Sequence, residues 1–181
     1  MTDKAMDHAR LWREAASFSA RAHRHQMRRD GVTPYAAHPA RVALTVSVLF
    51  GCDDPAALAT AFLHDVIEDC DVDYDDVAEQ FGSTVADCVA ALSKDMRLRE
   101  DIREPAYDDA LVCADWRARL VKLADVLDNL SDLGPDSSPI KPIRISKRAI
   151  AHAAPIASEH PTIAQAIALV EQAVREAEKR V

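Results

Sequence analysis

Ala61-Phe62-Leu63-His64-Asp65-Val66-Ile67-Glu68-Asp69 is the stretch on which the reading of this chain turns. It has the apolar character of a buried helix, yet His64 and Asp65 stand side by side in its middle, with Glu68 and Asp69 one turn later. A helix carries positions i, i+1, i+4 and i+5 onto neighbouring faces, so an imidazole and several carboxylates converge on a volume that would otherwise be core. Uncompensated burial of that much charge is very costly. A divalent cation is the simplest compensation, because it pairs the charges and accepts a mixed nitrogen and oxygen ligand set.

The rest of the chain frames that site as part of an all-α domain. The 181 residues are 49% hydrophobic with only 4 glycines, which suits one compact, mainly helical domain with a sizeable core. Ala-rich segments and few aromatics weigh against a sheet. A formal net charge of −8 argues against a nucleic-acid binder. The N-terminal Met1-Thr2-Asp3-Lys4-Ala5-Met6-Asp7-His8 lacks the basic-then-apolar order of a signal peptide. No apolar run approaches the roughly 20 residues of a membrane span. Cys52, Cys70, Cys88 and Cys113 contain no C-x-x-C pair, which argues against thiolate zinc and for reduced thiols in a cytoplasmic protein.

Apolar residues at helical spacing predict a first helix over about residues 5–27, followed by a loop with Gly31 and Pro34 as breakers. Pro39 suits the first turn of a second helix running to about Leu49. Asp54-Pro55 is an N-cap followed by proline and opens the helix that carries His64 and Asp65. Asp73 is expected to cap a short helix ending at Gly82, with another from about Ser83 to Leu92. Residues 93–104 read as charged, irregular and mobile. A long helix is expected from about Asp115 to Leu133, a loop over 134–142, and two last helices over about 144–158 and 161–179.

Two further segments offer ligands. Pro34-Tyr35-Ala36-Ala37-His38-Pro39 places His38 at a helix start, and Lys122-Leu123-Ala124-Asp125 places a carboxylate in the long helix, with Asn129 one turn on. Together His38, His64, Asp65 and Asp125 make a set suited to Mn²⁺, Fe²⁺ or Co²⁺, with positions left for water and a substrate oxygen. Mg²⁺ suits two imidazoles less well.

These motifs, in this order, resemble the HD-domain metal phosphohydrolases. The wording of Gln26-Met27-Arg28-Arg29-Asp30-Gly31, of Pro34 to Pro39, of His64 to Asp69 and of Val121 to Asp125 is similar to the RelA/SpoT hydrolase domain and its stand-alone small relatives. The resemblance covers about residues 10–160, with a C-terminal helix over about 161–179, and implies a hydrolase-only protein without a synthetase portion. It implies an HD-type helical bundle and Mn²⁺-dependent removal of the 3′-pyrophosphate of ppGpp or pppGpp, a small nucleotide rather than a nucleic acid. Glu68 and Asp69 match the family's paired acids, and one of them is expected to deprotonate the attacking water. Arg28 and Arg29 fall where the family contacts the guanine base, and Asn129 where it meets the sugar. The oligomeric state is left open.

Departures from the family pattern bear on the substrate. Val126 and Ser131 replace expected cations, and Asp128 replaces an expected His or Tyr, which takes positive charge or an aromatic ring from the phosphate side. Lys141, Arg144, Lys147 and Arg148 could supply cations from the next helix, Arg144 first among them. The altered positions keep another nucleotide open as substrate, namely a phosphorylated dinucleotide or a nucleoside mono- or triphosphate. A non-catalytic nucleotide sensor is the remaining alternative. Asp69-x-Asp71-x-Asp73 starts like an EF-hand loop, but Tyr74 and Gln80 stand where that loop needs Gly and Glu, so calcium is excluded there.

Overall fold

The computed structural model of the protein describes residues 3–134 and 137–180. Its elements are α1 (Asp3–Ala22), α2 (Ala37–Leu44) continued by a π-helical turn (Thr45–Leu49), α3 (Pro55–Leu63), α4 (Val66–Asp69) and α5 (Tyr74–Phe81). They continue with α6 (Ser83–Leu92), α7 (Glu100–Cys113), α8 (Trp116–Ser131), α9 (Ile140–Ala153), a 3₁₀ turn (Ala154–Ile156) and α10 (Pro161–Glu178). Among the described residues, the only β-type pairing is a lone antiparallel bridge between Met27 and Pro34. The all-α expectation is met.

Local chemistry explains most boundaries. Asp54 caps α3, its carboxylate accepting from the Ala57 amide at 2.9 Å, and Pro55 follows where its missing N–H is no loss. The same carboxylate takes a two-pronged ion pair from Arg117 of α8, at 2.7 and 2.9 Å, so the start of α3 is tied to α8. Asp73 and Asp76 form a capping box at α5. Gly82, at φ 85°, turns α5 into α6 through a conformation that side-chain-bearing residues rarely adopt.

Helix α3 is the centre of the bundle. Ala57, Leu58 and Ala61 join the larger apolar cluster with α2, α8, α9 and α10, while Ala59 and Leu63 join a second cluster with α1, α5 and α6. Its alanines keep it thin, so helices pack on it from both sides.

Four expectations change. The first helix ends at Ala22, because the 23–35 segment bonds across itself: Arg28 N to Thr33 O at 2.8 Å and Tyr35 N to Gln26 O at 2.9 Å. His64 and Asp65 are not mid-helix; α3 stops at Leu63 and a turn at these two residues separates it from α4. The segment expected to be irregular to residue 104 is helical from Glu100 as α7, with Pro105 inside and Tyr107 and Leu111 buried. Of the expected loop 134–142, Pro135 and Asp136 lie outside the described residues, and α9 already begins at Ile140.

Leu63 is fully buried at the α3 end. Leu63→Ala is expected to lower unfolding free energy by about 2–5 kcal/mol, read as a lower urea midpoint with an unchanged slope.

Candidate metal centre

The turn at 64–65 lets neighbouring side chains meet, which consecutive residues of an unbroken helix do not do. His64 Nε2 lies 3.1 Å from Asp65 Oδ2. His38, from the first turn of α2, brings its Nε2 to 3.2 Å from His64 Nε2 and 3.5 Å from Asp65 Oδ2. Ligand atoms of His38, His64 and Asp65 thus all lie within 4.8 Å of one another. Asp125 Oδ1 of α8 reaches the two imidazoles at 3.2 and 3.9 Å but stands outside that mutually close trio.

The two rings are fixed from behind. His38 Nδ1–H donates to Asp128 Oδ2 at 2.6 Å, and His64 Nδ1–H donates to the Ala61 carbonyl at 2.9 Å. Neither a carboxylate nor a carbonyl can donate, so both Nδ1 atoms carry hydrogen and both Nε2 atoms of the neutral rings present lone pairs to each other. Two facing lone pairs repel unless a cation lies between them. Without an ion, a proton fills that role: burial disfavours charge on His38, but hydrogen bonds to Asp125 and Asp128 outweigh it and raise its pKa to about 9. The donor set, its spacing and its forced tautomers fit a divalent ion.

Asp128 is the residue the sequence reading misplaced. It does not face the phosphate side; it is buried beneath His38 and also takes a two-pronged pair from Arg41, at 2.6 and 2.9 Å. Burial works against its charge, but the His38 and Arg41 hydrogen bonds hold it below the usual carboxylate range.

The paired acids flank the trio. Glu68 is half-buried, and its Oε2 accepts the Lys94 backbone N–H at 2.7 Å. Asp69 is exposed as a residue, but its carboxyl end is partly buried; the Tyr35 hydroxyl, with one proton, donates to Asp65 Oδ2 at 2.6 Å and lies 3.2 Å from Asp69 Oδ2. Burial and the nearby Asp65 raise the pKa of both Glu68 and Asp69, while coupling to His64 helps hold Asp65 down at about 2 despite its burial. Tyr35, quoted in the motif but given no role from sequence, is the strut between these acids.

These groups line a cleft of about 290 Å³ that also includes Arg28, Arg29, Lys94, Tyr107, Lys122 and Asn129. Arg28 is clamped there, donating to Asp132 at 2.8 Å and to Asn129 at 3.1 Å with its guanidinium 5.5 Å from the Tyr35 ring centre. Asn129 passes the link on to Asp125 at 2.6 Å. Arg29 is exposed and borders a second cleft of about 280 Å³, where Lys141 and buried Val126 also stand. Arg144 is exposed and borders neither cleft, so Lys141 is the α9 cation that reaches this region.

A helical bundle with a His and a His-Asp pair meeting a carboxylate of a later helix defines the HD-domain family, and this chain belongs to it: the HD-domain family model matches residues 15–162. Within that family the chain is similar to the guanosine-3′,5′-bis(diphosphate) 3′-pyrophosphohydrolase MESH1 of Drosophila melanogaster, at 38% identity over 121 residues, 66% of this chain and 68% of that protein. The human MESH1 is 40% identical over the same shares. A solved structure described as "A metazoan ortholog of SpoT hydrolyzes ppGpp and plays a role in starvation responses" superposes with a TM-score of 0.77 at 28% identity, covering 92% of this chain and 94% of that one. An HD domain implies a divalent metal, and His38, His64 and Asp65 could bind it. Among the described residues, no helix is long and apolar enough to cross a membrane.

Asp128→Asn removes the charge behind His38 while keeping an acceptor. Affinity for Mn²⁺, measured by titration calorimetry, is expected to fall about 10–100-fold with the fold intact by circular dichroism.

Proposed function

We propose that this chain is a cytoplasmic, Mn²⁺-dependent hydrolase that removes the 3′-pyrophosphate of ppGpp and pppGpp. One observation carries the reading: two tautomer-locked imidazoles facing each other at 3.2 Å lie in one cleft with Glu68, Asp69, Arg28 and Arg29. The sequence likeness to proteins named for this reaction supports the substrate.

His38, His64, Asp65 and Asp125 would hold the ion. When bound, it supplies a Lewis acid for a phosphoryl oxygen and a lowered pKa for its water. Glu68, with its pKa raised by burial, is placed to take the proton of the attacking water as that oxygen bonds to phosphorus, and to return it to the 3′-oxygen, which leaves as the 3′-hydroxyl when its bond to phosphorus breaks. Asp69, steadied by Tyr35, orients the same water. Arg28 is already held 5.5 Å from the Tyr35 ring centre and paired with Asp132, a preorganised cation for a purine or phosphate. Arg29, exposed between the two clefts, reaches substrate on either side. Asn129 stands between Arg28 and Asp125, so a sugar hydroxyl meeting its amide is registered to both.

One observation favours a second reading, hydrolysis of another nucleotide: Val126 is buried and Ser131 turns its hydroxyl to the Leu127 carbonyl, so neither restores the cation the family places there.

With Mn²⁺ present, the protein is expected to release pyrophosphate from ppGpp. Asp65→Ala should lose both the ion and turnover. Glu68→Gln should retain the ion and lose about 10²–10⁴-fold in kcat. Turnover of a different nucleotide with no pyrophosphate from ppGpp would select the second reading, and full activity of the Asp65 variant would remove the role assignments.

A further inference from the structure

Two ammonium groups share one aromatic ring on the wall of the metal-centre cleft. Lys94 follows α6, Tyr107 belongs to α7 and Lys122 to α8, and all three line the cleft that holds His38, His64 and Asp65. Lys94 Nζ lies 5.0 Å and Lys122 Nζ 5.7 Å from the centre of the Tyr107 ring. A cation over a ring face is attracted by the ring's negative quadrupole, more strongly where water is excluded. Here the ring is 7% exposed.

The hydroxyl explains only part of why Tyr107 is there. Its buried O–H has no acceptor, because the adjacent ammonium groups only donate, although its oxygen can take a hydrogen from Lys122. The ring is the part that both ammonium groups share. Each ammonium group has one carboxylate partner: Glu104 lies 2.8 Å from Lys94 and is shared with Arg148, itself 2.6 Å from Asp108, while Asp125 lies 2.8 Å from Lys122 and also faces both imidazoles. An ammonium carries three N–H donors, so this wall keeps donors for a further acceptor beside the metal centre. Its backbone is tied to the flanking acid through Lys94 N–H to Glu68.

We propose that Lys94, Tyr107 and Lys122 form a pyrophosphate subsite, with the Tyr107 ring as the platform that turns both ammonium groups toward the cleft. This deepens the assignment of a pyrophosphorylated nucleotide as substrate and rests on it. Phosphate oxygens only accept hydrogen bonds, and two ammonium groups offer charge and several donors without demanding planar geometry. The pair supplies charge that Val126 and Ser131 do not, and that Arg144 is too far out to give. Lys94 and Lys122 bind the diphosphate; Tyr107 is a positioning residue.

The test uses Mn²⁺-loaded full-length protein with inorganic pyrophosphate as the probe, by calorimetry and as a product inhibitor. Lys122 is left intact because it also pairs with Asp125. Lys94→Gln is expected to weaken pyrophosphate binding about tenfold, the loss of one charge-assisted bond. Tyr107→Leu should weaken it comparably, whereas Tyr107→Phe, which keeps the ring, should stay within about twofold of wild type. All three should keep Mn²⁺ affinity, and Tyr107→Phe should melt no lower than wild type. Wild-type pyrophosphate affinity in both Lys94→Gln and Tyr107→Leu would overturn the subsite. A Tyr107→Phe loss as large as that of Tyr107→Leu would overturn the platform. If wild type binds pyrophosphate through Lys94 but releases none from ppGpp, the substrate assignment falls and the subsite stands.

Discussion

The rest of the site depends on two imidazoles that cannot turn away from each other. Asp128 holds one from behind and the Ala61 carbonyl holds the other, so their free nitrogens are aimed at the same point. Facing lone pairs store a repulsion that only a positive charge relieves. The carboxylates of Asp65 and Asp125 add to the demand for that charge. An acidic chain with a net charge of −8 has therefore concentrated its need for a cation at one place. Around it, each anion is answered by a specific partner: Asp132 by Arg28, Asp128 by Arg41, Glu104 by Lys94 and Arg148.

Much of this was legible in the residues. The His64-Asp65-x-x-Glu68-Asp69 run announced buried charge, the Asp54-Pro55 and Asp73 caps set helix starts, and the motif order pointed to the family before any geometry. What local sequence did not carry was direction. Asp128 reads as an acid one turn from Asp125, and spacing alone does not show that it faces α2 rather than the substrate side. Residues 93–104 read as charged and irregular, yet α7 starts at Glu100, continues through Pro105 and delivers Tyr107 to the cleft. Lys94 and Lys122 carry no assigned role in the sequence, though Lys122 opens the Lys-Leu-Ala-Asp motif; only the packing of the α6–α7 connection beside α8 brings them over one ring.

The break at residues 64–65 shows why periodicity misled as well as informed. An unbroken helix would set His64 and Asp65 about 100° apart around its axis, aimed at different neighbours. Ending α3 at Leu63 lets two consecutive side chains serve one centre. Apolar pattern predicts that a segment is buried, and the local need to converge ligands decides where its regular geometry stops.

The double duty of Asp54 has a consequence for how this chain can change. Its carboxylate pins the start of α3 to Arg117 near the start of α8, while the far end of α3 delivers His64 to Asp125 further along α8. The two helices are thus joined at two rungs, and the residues between the rungs act as a measured ruler. A single inserted or deleted residue between Asp54 and His64 would swing the imidazole by about 100° and slide it about 1.5 Å. Side chains along that span can be exchanged so long as their bulk is kept, but its length cannot drift.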